Sequence, residues 1–392
     1  MLRTLAVQNY RSLRDLVLPL SQLTLVAGAN GSGKSGLYRA LRLLAEASRN
    51  GAVAALAREG GLPSTLWAGP ESVGRAVREG REPVQGTLRT KAAALRLGFA
   101  GDAFGYALDL GFPVPGATLF NLDPEFKREC VWSGPTLRPR ALLADRAGPV
   151  VRTRDRDGAW AEDVDGIRLT DSMISEFGDP RRCPELLDVR ERVRSWRFYD
   201  HFRTDADAPA RQARIGSRTP VLGHDGADLA AALATIQEVG QADTLAAAVD
   251  DAFPGSDLEI ANTDGRLEVR LHQRGLLRPL AAAELSDGTL RYLLWAAALL
   301  TPRPPELLVL NEPETSLHPD LLPALAGLVV AAAARTQVVV VSHAQTLLRT
   351  VEAGADELGV PLATLVLRKE FGETVLDGQG RLDRPSWRWP SR

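Results

Sequence analysis

The chain has 392 residues, 45% of them hydrophobic and 24% charged, with a formal net charge of −2. These are values of an ordinary globular protein with room for one large domain or two to three small ones. They exclude a chain that binds nucleic acid through a uniformly positive surface, although a local basic stripe would suffice for that purpose. Lysine occurs only at Lys34, Lys91, Lys127 and Lys369, so arginine carries nearly all the positive charge, as codon bias alone would produce. Cys130 and Cys183 have no metal-binding or CxxC spacing, which fits a reducing cytoplasm without a disulfide framework. The first ten residues lack the apolar run of a signal peptide, and the apolar stretch 321–334, broken by Pro323 and Gly327, falls short of the roughly 18 residues of a membrane span. The sequence therefore predicts a cytoplasmic protein with no membrane partner.

In chain order, residues 5–8 and 16–20 read as strands, and Leu23-Thr24-Leu25-Val26 as a short buried third. Gly28-Ala29-Asn30-Gly31-Ser32-Gly33-Lys34-Ser35 then fills every fixed position of G-x-x-x-x-G-K-[ST]. Its glycines let successive N–H groups face one anion, and the following helix adds its N-terminal partial charge. Lys34 is the residue to reach the β- and γ-phosphates of a nucleoside triphosphate, and Ser35 the residue to ligate Mg²⁺. Leu37, Leu41 and Leu44 give the helix its apolar spacing up to about Ser48.

Residues 51–80 predict short helices and loops. Strand-like pieces follow at 86–97, 106–110 and 150–159, the last with an Asp157-Gly158 turn, and together they predict an antiparallel β-rich segment. A helix is predicted over 184–202, with Leu186, Val189, Val193 and Trp196 on its apolar face and Arg190, Arg194 and Arg197 along its flank. Residues 205–220 read as a loop, 228–236 and 242–253 as helices, and 258–271 as a hairpin turning at Asp264-Gly265. No internal repeat or sustained heptad is present.

Three later segments narrow the chemistry. Ser286 is an N-cap residue opening a helix, and with Gly288 it offers a second phosphate grip at a helix N-terminus. Residues 306–310 form an apolar strand that ends on Asn311-Glu312-Pro313-Glu314, where an α/β sheet places ligand chemistry. Glu312 there is a candidate general base or water-orienting acceptor. A second buried strand, 337–341, delivers Ser342-His343 to the same edge, and His343 is a candidate partner of the γ-phosphate or the attacking water.

In this order the motifs resemble the ABC-type ATPase superfamily, and more closely the RecF-like and SMC-like heads and the related stand-alone predicted ATPases of the AAA-21 type. The resemblance implies that residues 28–35 are Walker A, Leu285 to Thr289 the signature motif, Leu310 to Pro313 the end of Walker B, Ser316 to Pro319 the D-loop and His343 the switch histidine. The fold it implies is α/β, a P-loop NTPase with an ABC-type head, a mixed sheet and a central β-rich and helical insertion. One head would fill residues 1–392, with its motifs in 1–50 and 255–392 and the insertion at about 51–254.

The sequence departs from the superfamily pattern in three places. Asn311 stands at the usual Walker B aspartate, which weakens the hold on Mg²⁺ and predicts slow hydrolysis. Asp287 stands where transporter signatures carry glycine, as in RecF and SMC variants. The Q-loop glutamine has only Gln85 as a candidate.

The resemblance further implies ATP and Mg²⁺ as cofactors, with Lys34, Glu312 and His343 catalytic and Ser35 and Asn311 at the metal. It implies a homodimer that forms with ATP and separates with ADP, because the Ser286 turn of one copy completes the site of the other. DNA repair or genome maintenance is the expected role. Arg190, Arg194 and Arg197 are candidate phosphate contacts, and Trp387-Arg388-Trp389 a candidate base-stacking tail. The plainer readings are a solvated helix flank and an indole packed on the head. The alternative role is the ATPase of a defence or regulatory system with a separate effector such as a nuclease. Residues 344–392 are too short for the C-terminal Toprim nuclease of some relatives and hold no cluster of metal-binding carboxylates. A transporter subunit is disfavoured by the long insertion, Asp287 and the missing Q-loop.

Overall fold

The computed structural model describes residues 1–49, 51–70, 94–155, 158–162, 166–178, 180–380 and 382–392. The Gln85 candidate, residues 86–93 of the expected strand and Asp157 lie outside them. The chain forms two compact units. The first comprises Met1–Ser21, Val26–Trp196 and Leu365–Arg392, and the second Gln22–Leu25 and Arg197–Thr364.

The first unit is built on an antiparallel sheet of eight strands. In chain order these are β1 (Leu2–Tyr10) and β2 (Leu13–Pro19), then β4 (Leu95–Gly101), β5 (Phe104–Gly111), β6 (Glu125–Ser133), β7 (Leu142–Ala147), β8 (Val150–Arg154) and β9 (Trp160–Glu162). Between these groups comes β3 (Leu23–Gly28), which belongs to another sheet. The spatial order is β2-β1-β4-β5-β6-β7-β8-β9. The antiparallel character expected of the chain's middle is present, but the sheet also recruits the N-terminal hairpin, through Val7 opposite Leu97 and Leu5 opposite Phe99. The expected strand at 150–159 is two strands, with Asp155 and Ala159 closing the turn between them.

A buried charge sits inside this sheet. Arg146 and Glu129 are both fully buried and 2.5 Å apart. Tyr106 Oη, Ser172 Oγ and the Met173 N–H also donate to the Glu129 carboxylate, so the pair is hydrogen-bonded all round, as a desolvated ion pair requires.

The helix expected at 184–202 ends at Ser195. Trp196 turns away with ψ 137° and packs against Phe99 at 5.1 Å between ring centroids. Arg197–Tyr199 then forms β10, because two aromatic residues suit a buried parallel strand better than a helix end. The anticipated arginine line is therefore broken. Arg194 Nε donates to the Ser48 carbonyl, Arg190 donates to Glu191 and the Ser175 carbonyl, and Arg197 lies on the strand.

The second unit carries the parallel strands β10, β15 (Leu307–Asn311) and β16 (Gln337–Val341), followed by the start of β3. Tyr199 pairs with Leu310 and Asn311 with Val341, so the carboxyl ends of the three strands are level. Helices Asp287–Leu299 and Leu322–Ala333 pack against each other, and both are almost wholly buried along their apolar residues. A smaller sheet is made by β11 (Arg214–Ile215), β12 (Asp257–Thr263), β13 (Arg266–His272) and β14 (Leu280–Ala281). The β12–β13 hairpin turns at Asp264 and Gly265, both at positive φ, as expected for a tight two-residue turn. The expected loop at 205–220 contains a 3₁₀ turn, Pro209–Arg211, and then β11, which pairs with β13. The last hairpin of the chain is β17 (Leu362–Glu370) with β18 (Glu373–Leu376). Among the described residues no helix is long and apolar enough to cross a membrane, and both cysteines are free and buried.

Candidate functional site

The phosphate loop closes the end of β3 and opens helix Lys34–Ala47, as its sequence predicts. Gly28, Gly31 and Gly33 adopt φ of 148°, 78° and 110°, which side chains rarely tolerate. Space forbids them as well. A Cβ on Gly28 would lie 2.4 Å from the Leu367 carbonyl oxygen, and one on Gly33 would lie 2.2 Å from Thr374 Oγ1. Lys34 is buried, and its Nζ donates to the carbonyls of Gly28 (2.6 Å) and Ala29 (3.1 Å). Two of its three donors thus brace the ammonium across the loop, leaving the third for an anion. Ser32 is buried with no partner for its hydroxyl among the described residues. An orphaned polar atom within a glycine cradle fits a loop shaped for a phosphate ligand. Ala29, Asn30 and Gly31 are exposed, and so is Ser35, the second residue of the helix.

Sequence reasoning did not foresee what holds this loop. Thr374, on β18, is buried and bonds the Ser32 carbonyl and Ser12 Oγ, both at 2.8 Å. Its backbone N–H donates to the Ser12 carbonyl. A lone threonine some 340 residues downstream in a short strand carries no local signal.

In the second unit, the sheet edge gathers the acidic residues. Glu312 stands at φ 49°, an uncommon conformation for a side-chain residue and a strained one of the kind found at functional sites. It is held there by its N–H to the Val341 carbonyl and by the Thr315 N–H to its own carbonyl. His343 Nδ1 lies 3.6 Å from Glu312 Oε1 and 3.4 Å from Glu314 Oε1. The structure therefore brings Glu312 and His343 together. Glu314, not singled out from the sequence, is buried, and its Oε1 accepts from Ser342 Oγ (2.6 Å) and from the N–H groups of His343 and Ala344. It fixes the backbone that carries the histidine.

Asn311 Nδ2 donates to Asp200 Oδ1 at 2.6 Å, and Asn311 Oδ1 is buried without a partner among the described residues. Asp200 follows β10 directly, between Tyr199 and a cluster of Phe202 and Trp295. No described group of three or more His, Cys, Asp or Glu side chains forms a metal cluster. Asp200 and Asn311 offer oxygen donors of the kind that Mg²⁺ takes beside water and substrate phosphates.

Ser286 caps helix Asp287–Leu299, accepting from the Thr289 N–H at 3.1 Å. Leu285 is buried, Ser286 and Asp287 are exposed, and Gly288 and Thr289 are half-buried. Arg211, whose side chain is 9% exposed, anchors this turn. It donates to the carbonyls of Ala282, Ala283 and Leu285 and to Asp287 Oδ1 at 2.7 Å. Arg291, on the same helix, donates to the Thr315 carbonyl and to the Phe202 carbonyl. The Asp287 that departs from transporter signatures is thus one end of an ion pair.

The C-terminal tail is packed rather than free. Trp387 meets Trp132 edge-on at 5.7 Å and Trp389 at 5.2 Å, and Arg392 pairs with buried Asp109. These indoles close a small core with Ala100, Ala107 and Cys130.

Comparison with known proteins adds three findings. A family model, AAA_21, described as "AAA domain, putative AbiEii toxin, Type IV TA system", matches residues 23–349. An OLD nuclease of Thermus scotoductus is 48% identical over 44 residues, which is 11% of this chain and 8% of that protein, so the match spans a small part of that relative. Solved structures with similarity include the SMC head domain from Thermotoga maritima (15% identity, 96% of this chain and 97% of that one, TM-score 0.44). A SmcHead bound to the C-winged helix domain of ScpA has 14% identity over 96% of this chain and 97% of that one, with TM-score 0.48.

Proposed function

Because the chain belongs to the AAA_21 family, as a P-loop ATPase of the RecF- and SMC-like kind with an ABC-type head, we propose that two copies bind ATP face to face and separate when it is hydrolysed. Each copy is one head that holds the triphosphate in its Gly28–Ser35 cradle. The second copy lends the Ser286 hydroxyl and the Gly288 N–H to the same γ-phosphate. ATP is then a ligand shared by both copies, and its loss shifts the population to monomers.

Lys34 and the loop N–H groups bind and neutralise the phosphates. Glu312 accepts a hydrogen bond from the attacking water and turns it in line with the phosphorus. His343, steadied through Glu314, donates to the γ-phosphate oxygen as charge builds there. Ser35 and Asn311 are the residues that would hold Mg²⁺, which would supply charge neutralisation of the phosphates when bound. Taken by itself, a neutral amide at Asn311 would slow turnover.

The observation that supports the dimer is the signature turn. Ser286 and Asp287 face solvent, yet the turn is held by Arg211 through four hydrogen bonds. A turn both exposed and rigid is suited to dock on a ligand outside its own subunit. The test is the oligomeric state of Glu312→Gln, measured by light scattering with ATP and with ADP. A stable dimer with ATP alone is expected. An ATP-independent monomer, or wild-type turnover in Glu312→Gln, overturns the reading.

The work done by that cycle is proposed to be DNA repair or genome maintenance, on family kinship. The arginine flank and the tryptophan tail no longer support it, since Arg190, Arg194 and Trp387 are engaged within the first unit and Arg197 lies on β10. The alternative, an ATPase acting with a separate effector, is favoured by the short likeness to an OLD nuclease. Turnover measured with and without duplex and single-stranded DNA separates them. Stimulation with a steep salt dependence supports the first role, and indifference to DNA supports the second.

A further inference from the structure

The Walker B strand end bears an amide where a carboxylate is expected, and a carboxylate just past the end of the neighbouring strand stands against that amide. We propose that Asp200 supplies the negative charge that Asn311 lacks, so that Asp200 and Asn311 together position Mg²⁺. The inference rests on the ATP-binding reading above and concerns the metal half of that site.

Three observations carry it. First, β10 and β15 are parallel neighbours in register, Tyr199 beside Leu310, so the residues that follow, Asp200 and Asn311, emerge side by side. Second, Asn311 Nδ2 donates to Asp200 Oδ1 at 2.6 Å. A carboxylate can accept only from the nitrogen of the amide, so this contact fixes which way the amide faces. Its oxygen is turned away, buried and without a partner among the described residues. A buried carbonyl oxygen left unpaired is costly unless a cation or water meets it. Third, Asp200 is held on a rigid footing. Tyr199 is buried and donates to the Leu222 carbonyl at 2.8 Å, and Tyr199, Phe202 and Trp295 pack ring against ring at 5.0 to 6.4 Å. An exposed aspartate between such anchors keeps its place without being buried.

The pairing also explains why asparagine is tolerated at 311. An aspartate there would place two carboxylates in hydrogen-bond contact, and like charges at that distance favour the protonation of one. The amide instead donates to its neighbour and leaves one net negative charge on the pair. The site keeps a carboxylate plus a neutral oxygen donor, a set that Mg²⁺ accepts alongside phosphates and water.

The experiment is a thermodynamic cycle on Asp200 and Asn311. Affinity for a fluorescent ATP analogue is measured in MgCl₂ and in EDTA, and Mn²⁺ binding to the nucleotide complex is followed by electron paramagnetic resonance. Asp200→Asn is expected to lose about tenfold or more of the Mg²⁺-dependent affinity, with its affinity in EDTA unchanged. Asn311→Asp should gain little beside an intact Asp200. In the Asp200→Asn background the same change should restore binding, because the pair is then reversed. Retention of wild-type Mg²⁺ dependence by Asp200→Asn, within about twofold, overturns the proposal, as does an equal gain from Asn311→Asp in both backgrounds. Absence of ATP binding by the wild-type chain in MgCl₂ and in EDTA overturns the parent reading as well, so the two failures are distinct.

Discussion

The phosphate loop and the acidic strand ends are built on opposite plans. The loop is backbone chemistry: its glycines sit at positive φ, no added atom fits at Gly28 or Gly33, and its lysine is braced by the loop's own carbonyls. The acidic end is side-chain chemistry: Glu312 is half-buried at a strained φ, His343 is exposed between two carboxylates, and Asn311 leans on Asp200. The difference separates two demands. Binding a phosphate requires a surface that cannot deform, whereas orienting water and metal requires groups whose charge can be redistributed among neighbours. The first is fixed by sterics, and the second can be rewired by single substitutions.

Substitutions can break this contrast, and the greatest effects are expected at the loop. Gly33→Ala should be as damaging as Lys34→Ala, both lowering ATP-analogue affinity by a factor of about 100 or more in calorimetric titration. Their causes differ: a Cβ driven into Thr374 at a forbidden φ in one case, loss of a charge-assisted phosphate contact in the other. A Gly33→Ala protein that binds normally would show that the loop deforms after all.

Next in size is Glu314→Ala. It leaves the Ser342 hydroxyl and the His343 N–H without their acceptor, while the Ala344 N–H keeps Ser342 Oγ, at a cost of about 1–3 kcal/mol in stability by thermal unfolding. Turnover should fall further than ATP affinity does, because the change acts on the backbone carrying His343.

Arg211→Ala sharpens the comparison from the signature side. ATP-dependent dimers of Glu312→Gln should weaken about tenfold in sedimentation, since hydrogen bonds from a charged group contribute roughly 1.5–3 kcal/mol. Nucleotide affinity of the monomer should stay the same. Equal losses in both would mean that Arg211 serves the fold and not the turn. The smallest effect is expected from Thr374→Val, which keeps the volume and removes the hydroxyl beneath the loop. One hydrogen bond of about 1 kcal/mol predicts roughly a fivefold loss of ATP-analogue affinity.

The same contrast governs what the sequence discloses. The loop is contiguous, because one backbone turn needs its residues in order, so residues 28–35 could be read directly. The Ser286 cap, the β15 and β16 strands and the hairpin at Asp264-Gly265 were legible for the same reason: each is set by local spacing. The partners of these residues were not. Asp200, Arg211 and Thr374 act through tertiary contacts, and nothing within a few residues of any of them marks it; Glu314 lies inside the marked strand end, but its grip on residues 342–344 is also tertiary. The arginine line failed for a related reason. Helical spacing continued past Ser195 on paper, but strand pairing of Phe198 and Tyr199 with β15 overrode it. Tertiary pairing outweighs local propensity wherever a buried sheet has room for another strand.

The contact between Thr374 and the Ser32 carbonyl has a consequence for biosynthesis. A ribosome working at about 5–20 residues per second needs roughly 20–70 s to pass from one of these residues to the other. During that interval the nascent cradle lacks the strut that completes it. Nucleotide capture in its finished form is thus a late event of translation, and a message cut short before codon 374 yields a product with the whole Walker A sequence but without its support.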